Sequence, residues 1–152
     1  MTDPMKGVFR GFDIAGAGLR AQLQRSEIVA SNLGNMHRTG NAQNEPYRRK
    51  VVVFEELLEQ AGQGAAGGGS PRDVIAGGVA VAKVAEDKSP FPVYHQPGHP
   101  DADENGQVMG SNVELFRELI DMQTIERSFY ANLTAMRTYR SMLQNSITNL
   151  RG

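Results

Sequence analysis

Residues 115–150 read LFRELIDMQTIERSFYANLTAMRTYRSMLQNSITNL, and this stretch decides the fold. Leu115, Leu119, Met122, Glu126, Phe129, Leu133, Met136, Arg140, Leu143, Ile147 and Leu150 follow one another at strict four–three spacing. That spacing places them on one stripe of a helix that packs on other helices. Only Glu126 and Arg140 are polar, and neither proline nor glycine interrupts residues 113–151. At about 1.5 Å per residue the stripe spans roughly 54 Å. Ser111 or Asn112 can cap its start, with Glu114 completing a capping box. Glu126 and Arg140 read either as solvent-facing breaks in the stripe or as polar groups that fix register against partner helices.

A shorter copy of the pattern opens the chain. Phe12, Gly16, Leu19, Leu23, Ser26, Ala30 and Leu33 repeat the four–three alternation, and Gly34 with Asn35 supplies a left-handed stop signal. These 22 residues predict a helix of roughly 33 Å, too short to cover the longer stripe. The surplus apolar face must therefore meet other chains or stay exposed.

Between the helices the periodicity changes. Residues 48–54, with Val51, Val52, Val53 and Phe54, predict a strand, and residues 79–85 another. Residues 55–61 look helical. The glycine-rich residues 62–71 predict a flexible loop. Four prolines within residues 89–100 predict an irregular extended arm, taken as 86–108. The fold class is thus mainly α with a small β-rich middle: an N-terminal helical segment 1–40, a β/loop segment 41–110, and a C-terminal long helix over 111–152. The end helices are expected to pair as a coiled-coil-like layer.

Composition narrows the function. The 152 residues carry 16 basic and 17 acidic side chains, and this balance excludes a nucleic-acid binder driven by a basic surface. The charge is uneven: residues 1–50 hold eight basic and four acidic groups, residues 51–114 three and ten, and residues 115–152 five and three. The absence of cysteine excludes disulfides, thiolate metal sites and thiol catalysis. No run approaches the roughly 18 apolar residues of a membrane span. Asp3, Arg10, Asp13 and Arg20 break residues 1–22 too often for a secretory signal, so any export is expected to proceed without a cleaved leader.

The chemical motifs do not close. Gly62, Gly64 and Gly67 match a dinucleotide fingerprint but lack the strand–glycine–helix context. Asp101, Asp103, Asn105 and Gly106 open like a calcium loop, yet the twelfth position is Asn112 instead of the bidentate glutamate. His95 and His99 are separated by Pro97, which spoils helical i, i+4 ligation. No nucleophile elbow is present. Accordingly no catalytic residue, cofactor, metal or small-molecule substrate is expected.

Two motifs carry a family resemblance. Ala30-Ser31-Asn32-Leu33-Gly34-Asn35, followed by Thr39 and Gly40, resembles the N-terminal motif of bacterial flagellar axial proteins. Ser111-Asn112-Val113, with Met122, Arg127, Tyr130, Ala131 and Asn132, resembles their C-terminal motif. The centre is more specific. Pro46-Tyr47-Arg48-Arg49-Lys50 and residues 94–108, with Pro97, Gly98, His99, Pro100, Asp101, Asp103, Asn105 and Gly106, resemble the proximal-rod branch of that family. Gly34, Phe129 and the glycine loop depart from the pattern.

The resemblance implies a structural rod subunit of the flagellar basal body. It implies export by the flagellar type III apparatus, assembly with other rod proteins and with copies of itself, and a place between the inner-membrane ring base and the hook, across the periplasm. The apolar stripes would then be subunit interfaces. A coiled-coil adaptor or secretion chaperone also fits the helices but leaves residues 94–108 without a role.

Overall fold

The computed structural model describes residues 4–41, 43–57 and 78–151. In chain order the elements are α1 (Pro4–Gly34), β1 (Thr39–Gly40), β2 (Lys50–Leu57), β3 (Gly78–Glu86), β4 (Val93–His95), β5 (Gln107–Gly110) and α2 (Leu115–Arg151). Two helices thus flank a β-rich middle, as the periodicity predicts. Strand β2 runs on through Glu55 and Leu57, where a helix was expected. Pairing with β3 carries the strand through residues whose own composition favours a helix. The predicted loop 62–71 lies outside the described residues.

The chain forms two compact units. The first comprises residues 1–24, 54–82 and 126–152; the second comprises Arg25–Val53 and Lys83–Ile125. Strands β2 and β3 pair as a two-stranded ribbon.

In the first unit, Gly11, Gly16 and Gly18 of α1 face Tyr139, Met136 and Asn132 of α2 in turn, so the helix segments run antiparallel. The approach is close because the glycines carry no side chain there: a Cβ at Gly18 would stand 2.8 Å from Asn132 Nδ2. Ala15, Ala17 and Ala21 are buried beside them.

The second unit contains the antiparallel sheet β1-β5-β4, with Thr39 opposite Gly110 and Tyr94 opposite Val108. The expected irregular arm is therefore largely a hairpin. Its prolines fall outside the paired residues: Pro90 and Pro92 precede β4, while Pro97 and Pro100 shape the turn. Val108 on the central strand is almost wholly buried and anchors this unit's core with Val29 and Ile125.

Both helix ends differ in detail from expectation. The described residues contain one positive φ, at Gly106 (71°), so Gly34 is no left-handed cap. Asn35 closes α1 instead: its side-chain amide donates to the Ser31 carbonyl at 2.7 Å, and its backbone N–H is shared between Ser31 and Asn32. At α2, Ser111 Oγ accepts from the Val113 N–H at 3.3 Å, one residue short of a capping box with Glu114.

The described contacts between α1 and α2 run mostly beside the predicted stripes; of the stripe residues, Gly16 meets Met136. On α1 the buried Ala15, Val29 and Asn32 and the half-buried Gly18 and Arg25 form a row, each one position before its predicted counterpart, with Ala17 and Ala21 buried off it. The same displacement holds on α2, where Glu118, Asp121 and Ile125 turn inward. One residue is about 100° of helix rotation. Most of the predicted row is consequently turned from the contact: Leu23, Leu115, Leu119, Met122 and Ile147 are exposed, Leu19, Leu33, Phe129, Leu133 and Leu143 are half-buried, and the half-buried Met136 alone of these is described against α1, at Gly16. Leu150 lies outside the residues with described side chains. Glu126 and Arg140 are exposed. Ranking positions by apolarity selects the leucines, whereas the helices approach through small residues and a charged cluster.

Candidate functional site: a polar clasp and a hairpin

The second unit holds a buried polar cluster built around Arg49 and Lys50, the residues that lead into β2. Asn32 of α1 is fully buried, and its amide uses its whole hydrogen-bonding capacity. Its oxygen accepts from the Lys50 N–H and the Tyr47 hydroxyl, each at 3.0 Å. Its nitrogen donates to the Lys50 carbonyl at 2.9 Å and to Glu118 Oε2 at 3.0 Å. Toward Lys50 the side chain thus pairs as a neighbouring strand would.

Asn112 does the equivalent for Arg49. Its oxygen accepts the Arg49 N–H at 2.6 Å, and its nitrogen reaches the carbonyls of Asp87 and Ser89 at 3.0 and 3.3 Å. The Asp87 N–H then donates to the Arg49 carbonyl at 2.8 Å. Two asparagines that the family resemblance brought forward, 80 residues apart, therefore grip consecutive residues of the central motif.

The Arg49 guanidinium occupies the centre. Nε donates to Glu118 Oε1 at 2.5 Å, one terminal nitrogen to Asp121 at 2.9 Å, and the other lies 3.6 Å from Asp87. Arg25 shares Asp121 at 2.9 Å, and Arg117 stands 3.8 Å from Asp87. Three guanidiniums balance three carboxylates, which a buried charged cluster needs. Burial alone would depress the guanidinium of Arg49. The Glu118 hydrogen bond and the charges of Glu118, Asp121 and Asp87 outweigh it and hold the group above its usual value. The carboxyl of Asp87 is held below the usual carboxylate range by the Ser89 hydroxyl and N–H, with Arg117 and Arg49 adding to this. Sequence reasoning missed Arg25, Glu118, Asp121 and Asp87. The available cue was Glu118 and Asp121 on the same helix row as Ile125.

Beside the clasp, Arg48 lies 4.1 Å over the Phe91 ring and donates to the Asp87 and Ser89 carbonyls. A cleft of about 310 Å³ between the end of α1 and the sheet is lined by Met36, His37, Tyr94 and Val113, among others.

The hairpin turn is preformed by local bonds. Thr39 donates to Asp101 Oδ2 at 2.7 Å, tying the N-terminal motif to the central one. His99 Nδ1 accepts the Asp101 N–H at 3.1 Å. Asp103 Oδ1 accepts the N–H groups of Asn105 and Gln107 at 2.9 and 2.7 Å. Gly106 adopts its left-handed φ against Pro97. The two aspartates of the calcium-like stretch thus spend carboxylate oxygens on protein donors. Among the described residues, no group of three or more histidine, aspartate or glutamate side chains could hold a metal ion. No described helix is long and apolar enough to cross a membrane.

Other motif residues are dispersed. Gly98 and Pro100 are exposed in the turn, while Arg127 and Tyr130 are exposed on α2 in the first unit, where Asn132 packs on Gly18. The structure brings Asn32 and Asn112 to one site and Thr39 and Asp101 to another; it does not gather the full set.

Two end helices whose motif asparagines grip Arg49 and Lys50 at the start of β2, beside a β4–β5 hairpin, define the arrangement. The family described as "Flagellar basal body rod FlgEFG protein C-terminal" matches residues 104–150. Over nearly the whole chain, a flagellar basal-body rod protein FlgC from Escherichia coli O6:H1 is 38% identical across 137 residues, covering 90% of this chain and 93% of the relative. The FlgC of Salmonella typhimurium is 37% identical over the same share, and that of Bacillus subtilis 33% identical across 150 residues, covering 91% and 95%. The chain belongs to the FlgC family of flagellar basal-body rod proteins.

Proposed function

We propose that this chain is a structural, non-enzymatic subunit of the proximal rod of the flagellar basal body. On this reading it is exported by the type III apparatus, spans the periplasm above the inner-membrane ring base, and polymerises with copies of itself and with other rod proteins into a hollow shaft. Family membership supports the placement in the rod. The observation that carries polymerisation is the face of α2 opposite Glu118: Phe116 is 74% exposed and Ile120 65%, with Leu115, Leu119 and Met122 beside them. Burying such an apolar arc against a neighbour yields about 25 cal/mol per Å².

The exposed stripe residues Leu115, Leu119, Met122 and Ile147 of α2 supply subunit-facing surface, and the half-buried Leu19, Leu33, Phe129, Leu133 and Leu143 add their uncovered edges to it. Coiled-coil packing then forms between subunits. The hairpin, with its acidic turn, reaches a neighbouring subunit whose Arg48 and Lys50 region is basic.

Electron microscopy of basal bodies from cells lacking this protein tests the reading. Absent or truncated rods are expected. Intact rods would assign the chain to the adaptor or chaperone class instead.

A further inference from the structure

The charged pair Arg49–Glu118 does more than fill space between α1 and α2. Glu118 is fully buried on α2, Asn32 is fully buried on α1, and Arg49 reaches Glu118 from the segment just before β2. Each is bonded to another member of the set: Asn32 to Glu118, Glu118 to Arg49, and Arg49 to Asp121, which Arg25 of α1 also holds. Leucine rows tolerate a slip of one turn, because one apolar knob resembles the next. A buried guanidinium does not, since a slip leaves charges without partners in an apolar interface. The best-attested use of such groups is to select one register among several of similar packing.

We infer that Arg49 and Glu118 are positioning residues that set the axial register of the two helices within the second unit. This assigns the register function to the clasp rather than to Glu126 and Arg140, both exposed. The inference rests on the geometry of the free chain and stands whether or not the chain polymerises as proposed.

Its test separates register from stability. The chain has no cysteine, so spin labels at Glu27→Cys and Gln123→Cys, both exposed, are unique reporters on α1 and α2. Pulsed electron resonance on the full chain should give one narrow distance. In Arg49→Met/Glu118→Met the remaining charges keep partners, Asp121 with Arg25 and Asp87 with Arg117 and Ser89. That double variant should fold yet show a second population, displaced by about one turn, ~5 Å. Val29→Ala, which loosens the same interface without touching a charge, should keep the single distance. If the double variant does not fold, Glu118→Gln decides, and a second population is expected there as well. A single wild-type distance in the charge variants, or equal broadening in Val29→Ala, overturns the inference.

Discussion

At the residue scale, backbone geometry and individual hydrogen bonds discriminate between positions that the sequence presents as equivalent. Gly98 and Gly106 flank the same turn, yet a Cβ at Gly98 would meet open space, whereas Gly106 has φ 71° and sits against Pro97. Gly106→Ala should therefore destabilise the hairpin by about 1–2 kcal/mol, the cost of a left-handed side-chain residue, and Gly98→Val should be nearly silent in urea titrations. The steric rigidity of the proline-rich turn thus resides at Gly106 and not at Gly98. Asp103→Asn retains the oxygen that accepts two N–H groups and should be tolerated; Asp103→Ala removes it and should cost about 1 kcal/mol. Gln22 offers the opposite case. Its Oε1 is buried without a hydrogen-bond partner, so Gln22→Met should raise the melting temperature, with a gain on the order of 1 kcal/mol. Asp87 gives the acid response. Because its folded pKa lies below its unfolded value, it stabilises the fold above the ordinary carboxylate range, and that contribution is lost as pH falls through the folded value. Ser89→Ala removes the largest cause of the depression. It should shrink the stability difference between pH 6 and pH 3, measured by denaturant midpoints, while leaving a residual from the Ser89 N–H, Arg117 and Arg49.

At the scale of elements, α2 carries two faces with different duties. The inward row of Glu118, Asp121 and Ile125 holds the chain together, and the outward arc of Phe116 and Ile120 is free within it. Ile120→Asp places a charge where no described intrachain contact is lost, so circular dichroism of the purified chain should be unchanged. Rod incorporation should fail, because assembly would bury an unpaired carboxylate. Leu133→Asp, half-buried on the predicted stripe, should also block incorporation and should destabilise the free chain in addition; Arg137→Asp, exposed, should be mild on both counts. Equal assembly defects at Ile120 and Arg137 would refute the division of faces.

Over the whole molecule, the sequence by itself determined the order of elements, two end helices and both long strands, because periodicity is a local property that each helix or strand writes into its own residues. It also pointed through motif residues to Asn32, Asn112, Thr39 and Asp101, though not to what they touch. Only the tertiary structure decided which helix face is internal. The four–three leucine rows were legible, but the inward rows lie one residue earlier, since close approach of two helices favours Gly11, Ala15 and Gly18 over large side chains. It likewise turned an apparent irregular arm into the β4–β5 hairpin, whose hydrogen bonds join residues 93–95 to 107–109 and leave no local periodicity to read. The clasp is the furthest from the sequence. Arg25, Arg49, Asp87, Glu118 and Asp121 come from four separate stretches, and a charged residue reads as surface until folding encloses it with its counter-charges. Periodicity reports what each segment wants to bury, and pairing across the chain decides what it buries it against.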